Sequence, residues 1–217
     1  MARKKLAVLI SGRGSNLQSL IDAARSPDYP AQIALVISNR PGAPGLEHAR
    51  RAGISTVTID HETFGKGAAG KSKFEAELSD TLAQSEPDFV CLAGFMRMLS
   101  PDFVARYDGR LLNIHPSLLP AFKGLNTHEA MIAAGVRIAG CTVHFVTADT
   151  DAGPIVDQAA VPVHSDDTAQ SLAARILAEE HKLYPACVRL LCEGQAQLID
   201  GRVLLHKNAE EKPSNPA

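Results

Sequence analysis

Asn113 and His115 stand two residues apart in the apolar run Leu111–His115, which gives way at once to Pro116 and a loop reaching Gly124. Side chains alternate across a strand, so if this run is a strand both polar groups share one face and Ile114 takes the other. Asparagine offers a neutral N–H donor, and histidine offers a donor with a positive charge, or a base. Two convergent donors are what a developing oxyanion requires, and two such groups in a desolvated place need a reason. A carboxylate beside the histidine would favour its cationic form. Asp149 and Asp151, in "HFVTADTDAGPI", are the candidates, and Asp151, beside Ala152-Gly153-Pro154, is the better placed; spacing alone does not choose between them.

A second site of chemistry is "SGRGSN", Ser11 to Asn16, at the end of the apolar run Lys5–Ser11. Gly12 and Gly14 permit a sharp turn, and the helix that follows presents free N–H groups and a positive dipole end, both suited to phosphate. The loop is neither a dinucleotide fingerprint, since Leu17 replaces the third glycine, nor a Walker A loop. A tight turn with Ser15 or Asn16 as helix cap is the competing reading.

These residues need elements to hold them. Short β-branched apolar runs alternate with helical patterns along most of the chain. Strands are expected at Lys5–Ser11, Gln32–Ser38, Ser55–Ile59, Asp88–Gly94, Arg110–His115, and in the stretches 139–146 and 154–163. Helices are expected between them, including a serine-capped one at Ser100-Pro101. The glycine-bearing stretch 61–72 reads as a loop. The helical stretch 168–194 should kink or break near Pro185, and Asp200-Gly201 should turn a closing hairpin. The tail from Lys207 should fray. The pattern predicts an α/β fold: an open, mostly parallel twisted sheet with helices on both faces, binding ligands at the carboxyl ends of its strands.

With 217 residues, 45 % hydrophobic and 21 % charged, the chain fits one globular domain, and a net charge of −2 without a basic block excludes a nucleic-acid or membrane footprint. No segment approaches the ~18 apolar residues of a membrane span. The cysteines at 91, 141, 187 and 192 form no CxxC pair and read as free buried thiols in a cytoplasmic protein.

Four motifs, "SGRGSN", "LAGFMRML", "NIHPSLLPAFKG" and "HFVTADTDAGPI", occur in an order and at separations that resemble the folate-dependent formyltransferases, and among them the phosphoribosylglycinamide formyltransferases of de novo purine synthesis. The resemblance runs from residue 5 to about residue 205. It implies one formyltransferase domain with a Rossmann-like, phosphate-binding half (about 1–107) and a catalytic and folate half (about 108–206). It implies transfer of the formyl group of 10-formyltetrahydrofolate, a co-substrate, to the amine of glycinamide ribonucleotide, without a metal. A homodimer is left open.

By the same resemblance, Asn113, His115 and Asp151 match the catalytic triad, and Asn113 also borders the folate. Gly14, Ser15 and Asn16 would cradle the substrate phosphate, and Glu180 would meet the ribose hydroxyls. Met96, Arg97, Met98 and Leu99 match the folate-lining segment, and Lys71 aligns with a basic folate-site residue that is often arginine. Without the resemblance, Glu180 would read as a solvated helix residue and Met96, Met98 and Leu99 as core. The chain departs from the pattern at Arg13, at Ala152, where glycine is usual and the loop should be slightly constrained, and at Asn126, where some members carry histidine. A formyltetrahydrofolate deformylase is the nearest alternative. It tends to carry a second histidine where this chain has Pro116, and usually an N-terminal regulatory domain. A methionyl-tRNA formyltransferase would need a basic RNA-binding domain, and a non-catalytic nucleotide-binding module would not depend on Asn113 or His115.

Overall fold

The computed structural model describes residues 2–206. Seven strands form one sheet in the order β3-β2-β1-β4-β5-β6-β7. They are β1 (Lys4–Ile10), β2 (Ala31–Ser38), β3 (Ser55–Thr58), β4 (Phe89–Leu92), β5 (Leu111–His115), β6 (Ile138–Phe145) and β7 (Ile155–Pro162). The first five run parallel, and β6 is antiparallel to both neighbours. A separate hairpin, β8 (Ala196–Ile199) and β9 (Arg202–Leu205), turns at Asp200-Gly201, both with positive φ, as the Asp-Gly pair predicts.

The helices are α1 (Ser15–Ala24), α2 (Gly45–Arg51), α3 (Gly67–Ser85), α4 (Pro101–Arg106), α5 (Thr127–Ala133) and α6 (Ala169–Cys192). They cover both faces of the sheet. Leu6, Val8 and Ile10 of β1 join a core with Leu17, Leu20, Ile176 and Val188, while Ala7 and Leu9 join a second core with Phe74, Leu78 and Phe103. A strand buried on both faces reads as a continuous apolar run, which is why "LAVLI" shows no alternation. Each such aliphatic side chain contributes roughly 1.5–3 kcal/mol by burial.

Two expectations need correction. The stretch 61–72 is not a loop throughout. A 3-10 turn spans His61–Phe64, and α3 begins at Gly67. The glycines have a packing role: a Cβ on Gly70 would lie 2.2 Å from the Gly65 carbonyl oxygen, so the helix start can seat against the turn only without a side chain. Nor does Pro185 break the last helix, since α6 runs through it for 24 residues. A proline costs a helix interior about 3 kcal/mol. Tyr184, Cys187 and Val188, all 0 % exposed, together offset more than that by burial. The Tyr184 hydroxyl also reaches the carbonyls of Leu92 in β4 (3.1 Å) and Leu112 in β5 (3.2 Å). The expected frayed tail lies outside the described residues.

Cys91, Cys141 and Cys187 are buried and free, and Cys192 is half-buried. Burial pushes the Cys91 thiol up to about 12, far from a reactive thiolate.

Candidate active site

The strand order reverses between β1 and β4, and the crevice at their carboxyl ends is where such a sheet takes its ligand. Beside it lies a cleft of about 740 Å³ lined by residues 11–16, Arg40, Met96, Ile114, His128 and Glu180, among others. Gly14 is the N-cap of α1 at φ 74°, and a Cβ there would stand 2.6 Å from the Gly45 Cα. Only glycine suits both the conformation and the space. Neither Ser15 nor Asn16 caps the helix: α1 has no side-chain cap, and both residues lie inside it. The N–H groups of its first turn are therefore left for a ligand in the cleft. Arg13 is exposed and lines the same cleft.

Glu180 is not the solvated residue its helical position suggests. It is 6 % exposed, and Asn16 Nδ2 donates to its Oε2 at 2.6 Å. Burial raises its carboxyl pKa, against the smaller lowering by the Asn16 hydrogen bond. The Asn16 Oδ1 is buried without a partner.

The strand β5 ends at His115, as its pattern predicts. Ile114 lines the large cleft, whereas Asn113 lines a narrow slot with Leu92, Phe95, Arg97, Met98, Leu99, Val104, His144, Val146 and residues 147–151. The two hollows thus flank the end of β5 from its two faces, and Asn113 and His115 share the slot's face. His115 is 5 % exposed. Its Nε2–H donates to the Phe122 carbonyl at 2.9 Å, and its Nδ1 lies 3.4 Å from Asp151 Oδ2. An acceptor thus faces each ring nitrogen. The Asp151 Oδ2 also accepts from the Gly124 N–H at 2.8 Å, tying the carboxylate to the loop that follows β5.

Of the two candidate aspartates, Asp151 meets the histidine, while Asp149 is an exposed part of the slot wall. Asp151 sits at φ 47°, a left-handed conformation unusual for a non-glycine residue and concentrated at functional sites. The departure at Ala152 costs nothing visible. Ala152 is exposed and has no positive φ, whereas a Cβ on Gly153 would stand 1.8 Å from the Phe145 carbonyl oxygen. The glycine that the loop needs is the second of the pair, and it is present.

One polar member of the site was not singled out from sequence. His144, 2 % exposed, is the antiparallel partner of Asn113 in the β5–β6 ladder. Its Nδ1–H donates to the Phe145 carbonyl at 2.9 Å, which leaves Nε2 as an acceptor for Asn113 Nδ2 at 3.2 Å. Burial lowers its pKa, keeping it neutral and able to accept, and Asp151 Oδ1 lies 3.8 Å from the same Nε2. The signal was present in "HFVTADTDAGPI", but only the strand register reveals what His144 touches.

Met96 and Met98 are both 61 % exposed, at the mouths of the cleft and the slot, and not in a core; Leu99 is buried in the slot floor. The apolar walls and polar end of the slot suit a flat heterocycle. Lys71 lies outside it. Its Nζ is 3.8 Å from Glu75 Oε1, and it lines another groove with Ser100, Asp102 and Arg106. Among the described residues no group of three or more His, Cys, Asp or Glu is arranged to hold a metal ion, and no helix is long and apolar enough to cross a membrane.

Comparison with known proteins gives a consistent result. A family described as formyl transferase matches residues 4–188. A bovine protein named trifunctional purine biosynthetic protein adenosine-3 is 48 % identical over 202 residues, covering 93 % of this chain and 20 % of its own length. The chain therefore spans about a fifth of that relative. The phosphoribosylglycinamide formyltransferase of Escherichia coli K12 is 44 % identical over 94 % of this chain and 91 % of its own. The crystal structure of glycinamide ribonucleotide transformylase 1 from Symbiobacterium toebii superposes with a TM-score of 0.89 at 46 % identity, covering 94 % of this chain and 95 % of that one.

Proposed function

The chain belongs to the formyl transferase family, and from that premise we propose that it transfers the formyl group of 10-formyltetrahydrofolate to the primary amine of glycinamide ribonucleotide, a step of purine synthesis. The observation that carries the reading is the placement of Asn113, His115 and Asp151 at the end of β5, between a cleft suited to a phosphorylated substrate and a slot suited to a flat ring. Relatives of matching length bear the same activity in their names.

The residues divide the work as follows. The N–H groups of the first turn of α1, with Gly14 and Ser15, hold the phosphate, and Asn16 and Glu180 offer acceptors to the ribose hydroxyls. The amine then reaches across the end of β5 to the formyl carbon. As the new C–N bond forms, the carbonyl oxygen gains negative charge, and Asn113 Nδ2–H and the His115 imidazolium stabilise it. Asp151 faces the same ring and accepts the proton that the attacking amine sheds. Return of a proton to the folate nitrogen lets the old C–N bond break, releasing tetrahydrofolate and the formylated ribonucleotide. Met98, Leu99 and Arg97 line the folate side, whereas Met96 lines the large cleft. Lys71, beside Glu75 in a separate groove, would meet only a part of the folate that extends beyond the slot. None of these steps calls on a metal, a nucleic acid or a membrane, and the reaction belongs in the cytoplasm.

The test is a formyl-transfer assay with 10-formyltetrahydrofolate, with and without glycinamide ribonucleotide. Tetrahydrofolate should form only when the ribonucleotide is present. Equal release without it would mean that water is the acceptor and that the enzyme is a deformylase.

A further inference from the structure

The segment that carries Met96, Arg97, Met98 and Leu99 has no regular secondary structure and two exposed methionines, yet it must hold one wall of a slot. Two side chains peg it. At the far end, buried Glu75 accepts from the Ser100 N–H at 2.8 Å and from the Ser100 hydroxyl. At the near end, the Met96 N–H donates to Ser11 Oγ at 2.7 Å. Ser11 belongs to the other hollow: it follows β1, opens the glycine loop and lines the large cleft.

The Ser11 hydroxyl is used both as acceptor and as donor. It accepts from Met96 and donates to Asn39 Oδ1 at 2.5 Å, and the Ser11 N–H donates to the Gly94 carbonyl at 3.1 Å. Asn39 is 1 % exposed, Ser11 6 %. His61 Nδ1–H donates to the Asn39 carbonyl at 2.8 Å, so Asn39 is itself held. Both hydroxyl bonds span distant parts of the chain, 85 and 28 residues away. Neither is the local bond of a cap or a serine turn. A residue needed only to turn the chain into the glycine loop would have no use for them.

Building on the formyl-transfer reading, we infer that Ser11 is a positioning residue for the folate slot, acting from the ribonucleotide cleft through the Met96 backbone. It fixes the glycine loop and the folate-lining segment to each other, so that the two substrates are presented at a set separation. A buried neutral hydrogen bond of this kind, once lost, should cost folate affinity about five- to tenfold.

The test is titration calorimetry of tetrahydrofolate, the reaction product, under anaerobic conditions and without ribonucleotide, on wild type, Ser11→Ala, Ser11→Cys and Ser11→Thr. Cysteine keeps the volume but is a poor acceptor, so it serves if alanine fails to fold; threonine keeps the hydroxyl. Alanine and cysteine should weaken folate binding about five- to tenfold, and threonine should restore it. Steady-state kinetics should show the same rise in the folate KM with a smaller change in kcat. Folate affinity within twofold of wild type in both alanine and cysteine variants, with any loss confined to the ribonucleotide KM, would overturn the inference and leave Ser11 a residue of the phosphate loop alone. Wild-type turnover separates the two claims: an enzyme that transfers the formyl group normally while Ser11→Ala keeps its folate affinity sinks only the role of Ser11, whereas an inactive wild type sinks the reading beneath it.

Discussion

Replacing His144 by phenylalanine should lower kcat by only about three- to tenfold, and should lower it not at all once Asn113 is gone. The imidazole is 2 % exposed, and its Nε2 accepts one of the two Asn113 amide protons at 3.2 Å. That leaves the second proton free to point at the reacting oxygen. A neutral hydrogen bond of this type is worth a net ~0.5–1.5 kcal/mol, and each 1.4 kcal/mol is about tenfold in rate. Loss of the oxyanion donor itself, in Asn113→Ala, should cost on the order of 100- to 1,000-fold. If His144 works by aiming the amide, the double variant should turn over at the rate of Asn113→Ala alone. The coupling energy would then equal the whole effect of the His144 change, about 1 kcal/mol. Single-turnover formyl transfer at saturating substrates, on the four proteins, gives the cycle. Additive losses would refute the reasoning and direct attention to the 3.8 Å approach of His144 to Asp151. A loss of 100-fold or more from His144→Phe alone would refute it equally, since that would make the ring a catalytic group in its own right.

Other consequences can be measured alongside. Asp151→Asn should reduce kcat by roughly 100- to 10,000-fold, the range of a lost general base, while leaving both KM values near wild type; a variant with full activity would remove Asp151 from the chemistry. Gly153→Ala places a Cβ 1.8 Å from the Phe145 carbonyl oxygen, so it should lose both thermal stability and activity, whereas Ala152→Gly should change neither; a fully active Gly153→Ala protein would show that the loop can yield. Glu180→Gln should raise the melting temperature near pH 7 to 8 and weaken ribonucleotide binding. Its carboxyl pKa is raised on folding by burial, so its contribution is full below the unfolded value near 4.5 and is lost as pH rises through the folded value. The stability gain should therefore shrink as the pH is lowered toward 4.5. The opposite sign applies to His144, whose pKa is lowered on folding from 6.5: its contribution is present above 6.5 and is lost as pH falls through the folded value. His144→Phe should thus be less sensitive to mild acid than wild type in thermal melts.

The sheet and the Asn113–His115 pair were legible because they rest on local rules. Alternation along β5 put Asn113 and His115 on one face without reference to anything else, and the glycines of "SGRGSN" announced a sharp turn, where Gly14 has a φ of 74° and a Cβ would stand 2.6 Å from the Gly45 Cα. What the sequence left open depends on pairing at a distance. His144 meets Asn113 through the register of two antiparallel strands joined across more than twenty residues, and no periodicity reports a register. The choice between Asp149 and Asp151 depends on which of them the loop after β6 turns toward His115, and Asp151 reaches it at 3.4 Å. The mistaken loop at 61–72 came from reading glycine as a breaker, when Gly70 is there to let a helix sit against a carbonyl. Pro185 misled for the converse reason: a local cost was visible in the sequence, and the buried neighbours that outweigh it were not.

Tyr184 acts as a depth stop. Its hydroxyl abuts the Leu92 carbonyl at the end of β4 and the Leu112 carbonyl within β5. Glu180 stands four residues earlier on the same helix, about one turn and 6 Å along its axis. The carboxylate that lines the large cleft is therefore gauged from the backbone of the strands that lead toward Met96 and His115. Its height is set by a count of residues, and a deletion of one residue between Glu180 and Tyr184 would swing it by about 100° around the helix.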